Sequence, residues 1–580
     1  MAMPVAAHAE ELDEGRIPGR SIAAAKSVGI PSQLTPDERA GYRAVFDAIR
    51  SERWADAQLQ LDSLRPGPLH AIARAEIYTA HTSPKTALEP LLALLGEAPE
   101  LPQAPQLARL AQLRGASSLP PLPVEQRMTW FDGAPTRVRT RAVRSDQVSA
   151  ELAVAMKPFV KADDGRSAEA LLDQRGGALT PEARTEWQQR VAWIYFVAGD
   201  DADARRVARL AQTGQGEWAA QADWTQGIAA WRQKDCAAAQ VAFGSVAQRA
   251  TDTELRSAGL YWATRADIAC GRPDLVQARL QSASQYGETY YGLLARQALG
   301  MVDTKSAPQR VTADWQMLER RPNVRVAAAL AEIGETALAD QVLRYQAKIG
   351  GMADYAALTR LSGSMNLPGT QLWLSHNGPA GAKPVLEARY PAPDWTPDGG
   401  WRVDKALVYA HALQESKFNT RVVSPAGAYG LMQIMPAAAS DIGRARGMTI
   451  DRSALSRPST NIEVGQSYLE KLRDMQATGG LLPKVIAAYN AGPSPVQAWD
   501  LQAHDGGDPL LYIESIPYWE TRGYVMSVLR NYWMYEKQEG KASASRAALA
   551  QGMWPKFPGK QGGGAVRISS AGRSPVARAN

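Results

Sequence analysis

The chain has 580 residues, a mass of 62.7 kDa and a formal net charge of +6. Its 45% hydrophobic and 21% charged residues exclude a disordered or collagen-like chain, and its length predicts about two to four packing units. The mild positive charge suits an anionic surface such as a cell wall, but it lacks the density that is typical of a nucleic-acid binder. Two cysteines and six histidines exclude a disulfide scaffold and a four-cysteine zinc site, and no motif indicates a metal or any other cofactor.

The amino-terminal segment, residues 1–34, is an extension with two interpretations. Ala7-His8-Ala9 followed by Glu10 fits the small-residue cleavage site of an export signal, but the charged start and the long apolar run of such a signal are missing. The segment is therefore either the remnant of an export signal or a plain flexible terminus. No run of about 18 apolar residues occurs, so the sequence predicts no transmembrane segment.

Residues 35–311 consist of successive helical segments rich in Ala, Leu, Arg and Gln, which are good helix formers. Short breaks at Gly199-Asp200, Lys234-Asp235 and Gly271-Arg272 recur 36 residues apart, from 199 to 235 and from 235 to 271. This period, with a helix–turn–helix unit in each repeat, predicts an α-solenoid in which each unit buries its apolar face against its neighbours. The alternative is an irregular helical bundle.

The two cysteines flank these breaks. Cys236 follows one turn and Cys270 precedes the next. Because the turns of stacked repeats lie side by side, the two residues are candidates for a disulfide in an exported protein, provided that their Cα atoms lie within about 7 Å. The alternative is a pair of buried free thiols.

The remaining chain divides into three parts. Shorter helices over 312–388 predict a small linker domain, and Pro- and Gly-rich residues at 377–400 mark a domain boundary. A compact helical domain is predicted for 389–545, and the tail 546–580, rich in Gly, Ser, Arg and Pro, is predicted to be disordered. Sixteen Trp against seven Phe indicate helix-packing anchors or platforms for sugar rings, of which packing is the simpler interpretation.

The residue that carries chemistry is Glu415, in the last turn of a helix predicted over about 404–418. A carboxylate there opposes the helix macrodipole, and partial burial acts in the same direction, so both raise its pKa and keep the acid protonated near neutral pH. A protonated carboxyl is what a general acid requires. A single glutamate at a helix end is usually just solvated, so the assignment depends on its neighbours.

The first neighbouring block runs from Ser424 to Pro436 and contains the glycines of a tight turn. Within it, the Gln433 amide can both donate and accept, which suits an acetamido group or a hydroxyl. Met432 and Met435 offer soft apolar surface for a sugar ring.

Two more blocks follow. Residues 488–493 read Ala-Tyr-Asn-Ala-Gly-Pro, and there we expect Tyr489 to place its hydroxyl against a substrate or Glu415. Residues 514–525 read Glu-Ser-Ile-Pro-Tyr-Trp-Glu-Thr-Arg-Gly-Tyr-Val.

Together with Glu-Ser at 415–416, these blocks resemble, in family order, the catalytic domain of the bacterial soluble lytic transglycosylases, a relative of goose-type lysozyme. The likeness covers residues 403–537, and its departures, Val422 and Ala438, lie away from the expected chemistry. Resemblance to the large periplasmic members implies an all-α fold. A superhelical domain over 35–311 would form a ring or horseshoe, followed by the linker domain and a C-terminal lysozyme-like domain.

The resemblance implies cleavage of the β-1,4 bond between N-acetylmuramic acid and N-acetylglucosamine in peptidoglycan, with a 1,6-anhydromuramoyl end. Glu415 would act first as acid and then as base. The residues that match positions orienting the sugar and the acid are Ser424, Gln433, Tyr489 and Asn490.

The last block leaves one choice open. Glu520 matches an acidic residue that lines the groove and contacts substrate, but it could instead form an ion pair with Arg522 that holds the last helix. We expect Tyr524 to serve in packing rather than in contact with a ligand.

The sequence leaves two alternative functions open. A lysozyme-type hydrolase would need a second carboxylate that holds a water molecule, for which Asp404, Glu463 and Glu520 are the candidates. A solenoid scaffold that only binds glycan would need no acid, and the intact Glu415 argues against it. The expected partners are peptidoglycan glycan strands and other cell-wall enzymes, without nucleic acid, for a monomer in the periplasm.

Overall fold

The chain is almost entirely helical, as predicted. A computed structural model describes residues 29–144, 146–301, 310–447, 449–559 and 563–568. The cleavage-like segment Ala7-His8-Ala9 lies outside the described residues. Within the described ranges, none of the helices has the length and apolar character that crossing a membrane requires.

Five helices begin the described chain. The first starts at a capping box, in which Thr35 accepts from the backbone of Glu38 and the Glu38 side chain accepts from the backbone of Thr35. Each helix packs on the next as part of one apolar core. The helices are α1 (Pro36–Arg50), α2 (Trp54–Ser63), α3 (His70–Thr79), α4 (Leu88–Glu97) and α5 (Ala104–Leu113).

An extended segment then interrupts the helices, which the sequence did not predict. It contains strand β1 (Met128–Trp130), which pairs antiparallel with the distant strand β2 (Asn377–Pro379). Residues 131–144, which we call the strap, continue without regular structure. The predicted domain 35–311 is therefore not one unbroken run of helices.

The superhelical region that follows has its turns where the period placed them. Gly199 ends one helix in the left-handed conformation, and Asp200 and Asp235 cap the next helices by accepting from backbone N–H groups. Trp224 and Trp262 are buried between the helices, so these tryptophans are packing anchors. The helices are α6 (Gln147–Ala155), α7 (Lys157–Ala162), α8 (Gly165–Arg175), α9 (Pro181–Ala198), α10 (Asp201–Gln212), α11 (Gly216–Arg232), α12 (Cys236–Arg249), α13 (Thr253–Ala269), α14 (Pro273–Ser284) and α15 (Tyr290–Ala298).

The two cysteines lie side by side at the same end of the neighbouring helices α12 and α13. Cys236 is the first residue of α12 and Cys270 caps the end of α13, and their Cα atoms are 5.6 Å apart. The structure joins them in a disulfide across the α12–α13 hairpin.

The linker helices share their core with the first five helices rather than forming one alone. The contact is also ionic, since Glu332 at the end of the linker helix over Pro322–Ile333 accepts from Arg39 at 3.0 Å, and Glu335 just beyond that helix accepts from Arg50 at 2.6 Å. The beginning of the chain thus returns onto the linker region. Its helices are α16 (Val311–Leu318), α17 (Pro322–Ile333), α18 (Thr336–Ile349), α19 (Met352–Ser364) and α20 (Pro368–His376).

The last region packs on the superhelix, with which it forms one continuous apolar core. Tyr290 of α15 stacks on Trp533 with ring centroids 5.0 Å apart, and Arg265 pairs with Asp508 at 2.6 Å. The helices are α21 (Lys405–Ser416), α22 (Pro436–Ala445), α23 (Pro458–Arg473), α24 (Leu482–Ala491), α25 (Pro493–Gln502), α26 (Pro509–Ser515), α27 (Trp519–Gln538) and α28 (Ala544–Ala550).

The predicted disorder of the tail is wrong for the described residues 546–559 and 563–568. Helix α28 continues to Ala550, and strand β3 (Trp554–Pro555) pairs with strand β4 (Ala565–Val566). The Trp554 ring is fully buried, and its N–H donates to the Gly507 carbonyl at 2.8 Å. Composition did not predict this ordered structure, because a single tryptophan anchors a segment that is otherwise rich in glycine.

Candidate active site

Glu415 lies where α21 ends. The next residues, Lys417 and Phe418, both have positive φ angles of 52° and 65°, so the chain leaves the helix abruptly. The Phe418 side chain is buried and anchors this turn in the core. The Glu415 side chain remains partly exposed, so a ligand can reach its carboxyl group.

The surroundings of Glu415 keep its carboxyl protonated near neutral pH. Burial raises the pKa of Glu415 to about 7, and the nearby charge of Glu520 adds to the effect. A hydrogen bond from the Tyr524 hydroxyl, 2.5 Å from Glu415 Oε1, acts in the opposite direction. With one oxygen accepting from Tyr524, the second oxygen is free to carry the acidic proton toward a ligand.

Tyr524, which the sequence assigned to packing alone, is the residue whose hydroxyl contacts Glu415. It lies in the second turn of α27, which packs against α21, and its ring is buried while its hydroxyl points at the end of α21. A buried tyrosine hydroxyl needs a partner, which was a usable signal in the sequence. The sequence does not tell which of many tyrosines faces Glu415.

The block after Glu415 forms a tight loop whose backbone is pinned by Asn461 of α23. The Asn461 amide accepts from the Met432 N–H at 2.9 Å and donates to the Tyr429 carbonyl at 3.0 Å. Gln433 has a φ of 46°, and its side-chain N–H donates to the carbonyls of Gly430 and Val422. This use of the Gln433 amide rigidifies the loop.

The other residues of this loop that the sequence predicted to contact a sugar differ in their exposure and contacts. Met432 is fully buried against Gly465 of α23, so its prediction as a sugar-contacting surface is wrong. Met435 is 45% exposed at the start of α22 and remains available for that role. Ser424 accepts from the Ala428 N–H at 3.0 Å and thereby closes the turn.

The Ala-Tyr-Asn block lies at the end of α24. The Tyr489 hydroxyl donates to the Met432 carbonyl at 2.7 Å, so it supports the loop instead of reaching Glu415. Burial, followed by the charge of Glu415, raises the pKa of Tyr489 and keeps this hydroxyl protonated. Asn490 is exposed and accepts from the Thr521 hydroxyl at 2.7 Å, which ties α24 to α27.

Glu520 and Arg522 do not pair with each other among the described residues. Glu520 is exposed in the first turn of α27, close enough for its charge to act on Glu415. The Arg522 guanidinium lies over the Trp193 ring at 4.3 Å and over the Trp519 ring at 5.2 Å. The ion-pair interpretation of Glu520 is therefore wrong.

Two of the three candidate second carboxylates are engaged elsewhere. Asp404 caps the opposite end of α21 by accepting from the Ala406 N–H, about 16 Å along the helix from Glu415. Glu463 is paired with Arg402 and Arg446, and although burial alone would raise its pKa, these hydrogen bonds lower it. Glu520 is the one of the three that lies near Glu415.

Comparison with known proteins identifies the region that contains Glu415. Residues 398–510 match the family described as "Transglycosylase SLT domain". This part of the chain is similar to SLT domains, and we call it the SLT domain below. Helix α26 begins at the end of the matched range, and α27, with Tyr524, lies just beyond it.

Curated relatives agree with this match. The soluble lytic murein transglycosylase of Salmonella typhimurium (strain LT2) is 39% identical over 147 residues, which are 25% of this chain and 22% of the relative. The Escherichia coli (strain K12) protein of the same name is 39% identical over 132 residues, 22% of this chain and 20% of the relative. The alignments thus span about a fifth of the length of these relatives.

Solved structures extend the likeness well beyond the SLT domain. The 70 kDa soluble lytic transglycosylase of Escherichia coli matches with a TM-score of 0.52 at 19% identity, over 88% of this chain and 99% of that one. An inactive mutant of lytic transglycosylase Slt from Pseudomonas aeruginosa matches with a TM-score of 0.50 at 19% identity, over 87% of this chain and 81% of that one. At this identity the likeness establishes the fold, and the predicted fold class is confirmed.

Proposed function

We propose that the protein is a lytic transglycosylase that cleaves the β-1,4 bond between N-acetylmuramic acid and N-acetylglucosamine in peptidoglycan. The observation that carries the proposal is the environment of Glu415, a reachable carboxyl whose pKa is raised to about 7 and one of whose oxygens accepts a hydrogen bond from Tyr524. Its place in an SLT domain, beside relatives named soluble lytic murein transglycosylases, supports the same reaction.

One carboxyl performs both proton transfers in this reaction. Protonated Glu415 gives its proton to the glycosidic oxygen as the bond to C1 of the muramoyl unit breaks. The resulting carboxylate then takes the proton from the C6 hydroxyl of the same sugar, whose oxygen bonds to C1 and closes the anhydro ring. The Tyr524 hydrogen bond stabilises the carboxylate between the two transfers.

The groove residues orient the sugar around this acid. We assign Gln433 and Ser424 to the loop that shapes one wall and Asn490 and Glu520 to the opposite wall, on α24 and α27. Met435 offers apolar surface at the rim, where a sugar ring can lie against it.

The second candidate is a hydrolase in which Glu520 holds the attacking water. Glycosidases with two carboxylates place them about 5–5.5 Å apart when they retain configuration and about 6.5–9.5 Å apart when they invert it. The proximity of Glu520 to Glu415 is the observation that favours this alternative. Glu520 is exposed and has no fixed partner among the described residues to orient it, which favours a role in substrate binding instead.

We place the reaction in the periplasm, where peptidoglycan is accessible and where a disulfide such as Cys236–Cys270 persists. A monomer that acts on glycan strands, alone or beside other cell-wall enzymes, fits this assignment.

Analysis of the released muropeptides by mass spectrometry tests the proposal. The wild type should release products with anhydromuramoyl ends, one water lighter than hydrolysed ones. Glu415→Gln should lower the rate about 10²- to 10⁴-fold, the usual contribution of a general acid and base. Glu520→Gln should raise KM and still give anhydro products. Hydrolysed ends that disappear in Glu520→Gln would establish the hydrolase instead.

A further inference from the structure

The strap connects three regions of the molecule that are distant in sequence. It leaves the linker helices, runs along α27 and ends on the superhelix. Its backbone hydrogen bonds follow this order, with Phe131 bound to His376, Pro135 to Arg530, Val138 to Asp252 and Val143 to Glu186. The strap therefore holds the helix that carries Tyr524 against both other regions.

Arg137, in the middle of the strap, makes a buried two-pronged ion pair with Glu514. Its two guanidinium nitrogens donate to the Glu514 oxygens at 2.6 and 3.0 Å, and the Tyr291 hydroxyl of α15 donates to the same carboxylate at 2.6 Å. The side chains of Arg137 and Glu514 are 4% and 0% exposed. A charge pair of this kind contributes more to a defined geometry than to net stability, because both charges lose their hydration.

Glu514 also contacts the first turn of α27. Arg522, in the first turn of α27, donates to the Glu514 carbonyl at 3.3 Å. The strap also lines a small crevice with Gly523 and Met526 of the same helix. These contacts lie on both sides of Tyr524 along the helix, and that residue holds Glu415.

We propose that Arg137 is a positioning residue for the active site: through Glu514 it fixes the first two turns of α27 and so keeps the Tyr524 hydroxyl on Glu415. The catalytic meaning of this geometry rests on the proposed function. The SLT domain would then depend on a residue about 260 positions before its matched range.

The variant that tests this inference removes both charges together. Arg137→Met alone would leave the Glu514 charge buried and unpaired, and the protein could fail to fold. Arg137→Met with Glu514→Gln removes one positive and one negative charge, so the net charge stays the same; it also nearly keeps the volume and leaves an acceptor for the Tyr291 hydroxyl. We expect the unfolding midpoint of this double variant to stay close to that of the wild type.

The expected result is a fall in kcat of about tenfold to a hundredfold, the size that a displacement of about 1 Å produces at a reacting group, with little change in KM. Tyr524→Phe should give a similar fall, and adding it to the double variant should lower kcat no further, because both changes disrupt one contact. A double variant with wild-type kcat, or effects that multiply, would overturn the inference.

A second two-pronged ion pair provides the control; its carboxylate is buried, and its arginine side chain is 42% exposed. Arg360 donates to both Asp314 oxygens at 2.8 and 2.6 Å in the linker helices, away from α27. Arg360→Met with Asp314→Asn should alter stability by a similar amount and leave kcat unchanged. A similar loss of kcat in this control would mean that general destabilisation, and not positioning, explains the effect of Arg137.

A readout without activity separates this inference from the proposed function. Because the pKa of Glu415 is raised on folding, the charged form costs stability as pH rises, and Glu415→Gln should stabilise the protein increasingly from about pH 4.5 to a plateau above about pH 7. In the Arg137 and Glu514 double variant, and in Tyr524→Phe, the plateau should begin at higher pH. An unshifted plateau would contradict the positioning role even if the wild type released no anhydro product.

Discussion

At the scale of single residues, the contact between Glu415 and Tyr524 sets the acid strength of the site. Burial alone would make the carboxyl a weak acid that gives up its proton slowly, whereas the hydrogen bond stabilises the carboxylate that forms when the proton leaves. A pKa of about 7 is the balance between the two effects, and it suits a group that must first give a proton and later take one back.

Removal of the Tyr524 hydroxyl should shift this balance. In Tyr524→Phe we expect the pKa of Glu415 to rise by about one unit, since a hydrogen bond to a charged group is worth about 1.5 kcal/mol or more. The active form is protonated, so activity falls as pH rises through the pKa, and this fall should move to higher pH in the variant. The pH profile of kcat/KM measures the shift, and an unchanged profile would show that the hydrogen bond does not tune the acid.

The sequence predicted some residues of the site well and others poorly, for a physical reason. Glu415 was recognisable because a helix end and a motif both mark it. The sequence placed Tyr489 against a substrate or Glu415 and Tyr524 in packing, whereas Tyr524 contacts Glu415 and Tyr489 contacts the Met432 carbonyl. Which hydroxyl reaches which acceptor depends on how α24 and α27 pack on α21, and the sequence of neither helix determines that packing by itself.

At the scale of elements, the loop after α21 depends on one glycine more than on its neighbours. Gly430 has a φ of 70°, and a Cβ there would overlap the Asn461 amide and lie 2.5 Å from the Leu455 carbonyl oxygen. Gly427 has a φ of 83°, but a Cβ there would meet nothing within 4 Å. A side chain at Gly427 would therefore cause backbone strain alone, whereas a side chain at Gly430 would cause the same strain and also a steric clash.

Alanine at these two positions should have different effects. Gly427→Ala should lower the free energy of unfolding by about 1 kcal/mol, the strain of a left-handed residue with a side chain. Gly430→Ala should lower it by about 2 kcal/mol or more and reduce kcat, because the loop must move away from Asn461. Urea unfolding and kinetics measure both quantities, and equal losses in the two variants would contradict the packing described for this loop.

At the scale of the whole molecule, the regions do not keep separate cores. The superhelix and the SLT domain share one apolar core, and helices α1–α5 share another with the linker helices. The 36-residue period predicted the turns of the superhelix, because stacking of neighbours is a local property of the chain. It did not predict the strap or the return of α1 onto α17, since contacts between residues about 290 positions apart leave no periodic signal.

The disulfide should stabilise this assembly without taking part in the reaction. Cys236 and Cys270 are 34 residues apart in sequence, and closing a loop of that length is worth about 3–4 kcal/mol in the chain-entropy description. Replacing both cysteines with alanine should lower the unfolding midpoint and leave kcat unchanged at temperatures where the protein stays folded. Calorimetry with and without reductant measures the difference, and reductant should not affect the double alanine variant. Equal midpoints for the oxidised wild type and the variant would mean that the bridge adds no stability.

Digestion of peptidoglycan in water labelled with oxygen-18 tests most directly whether the sugar supplies its own attacking oxygen. A single carboxyl at Glu415 that transfers the C6 proton predicts anhydromuramoyl ends without any heavy oxygen. Mass spectra in which each cleaved muramoyl end carries one labelled oxygen atom would contradict this, because water would then have been the nucleophile.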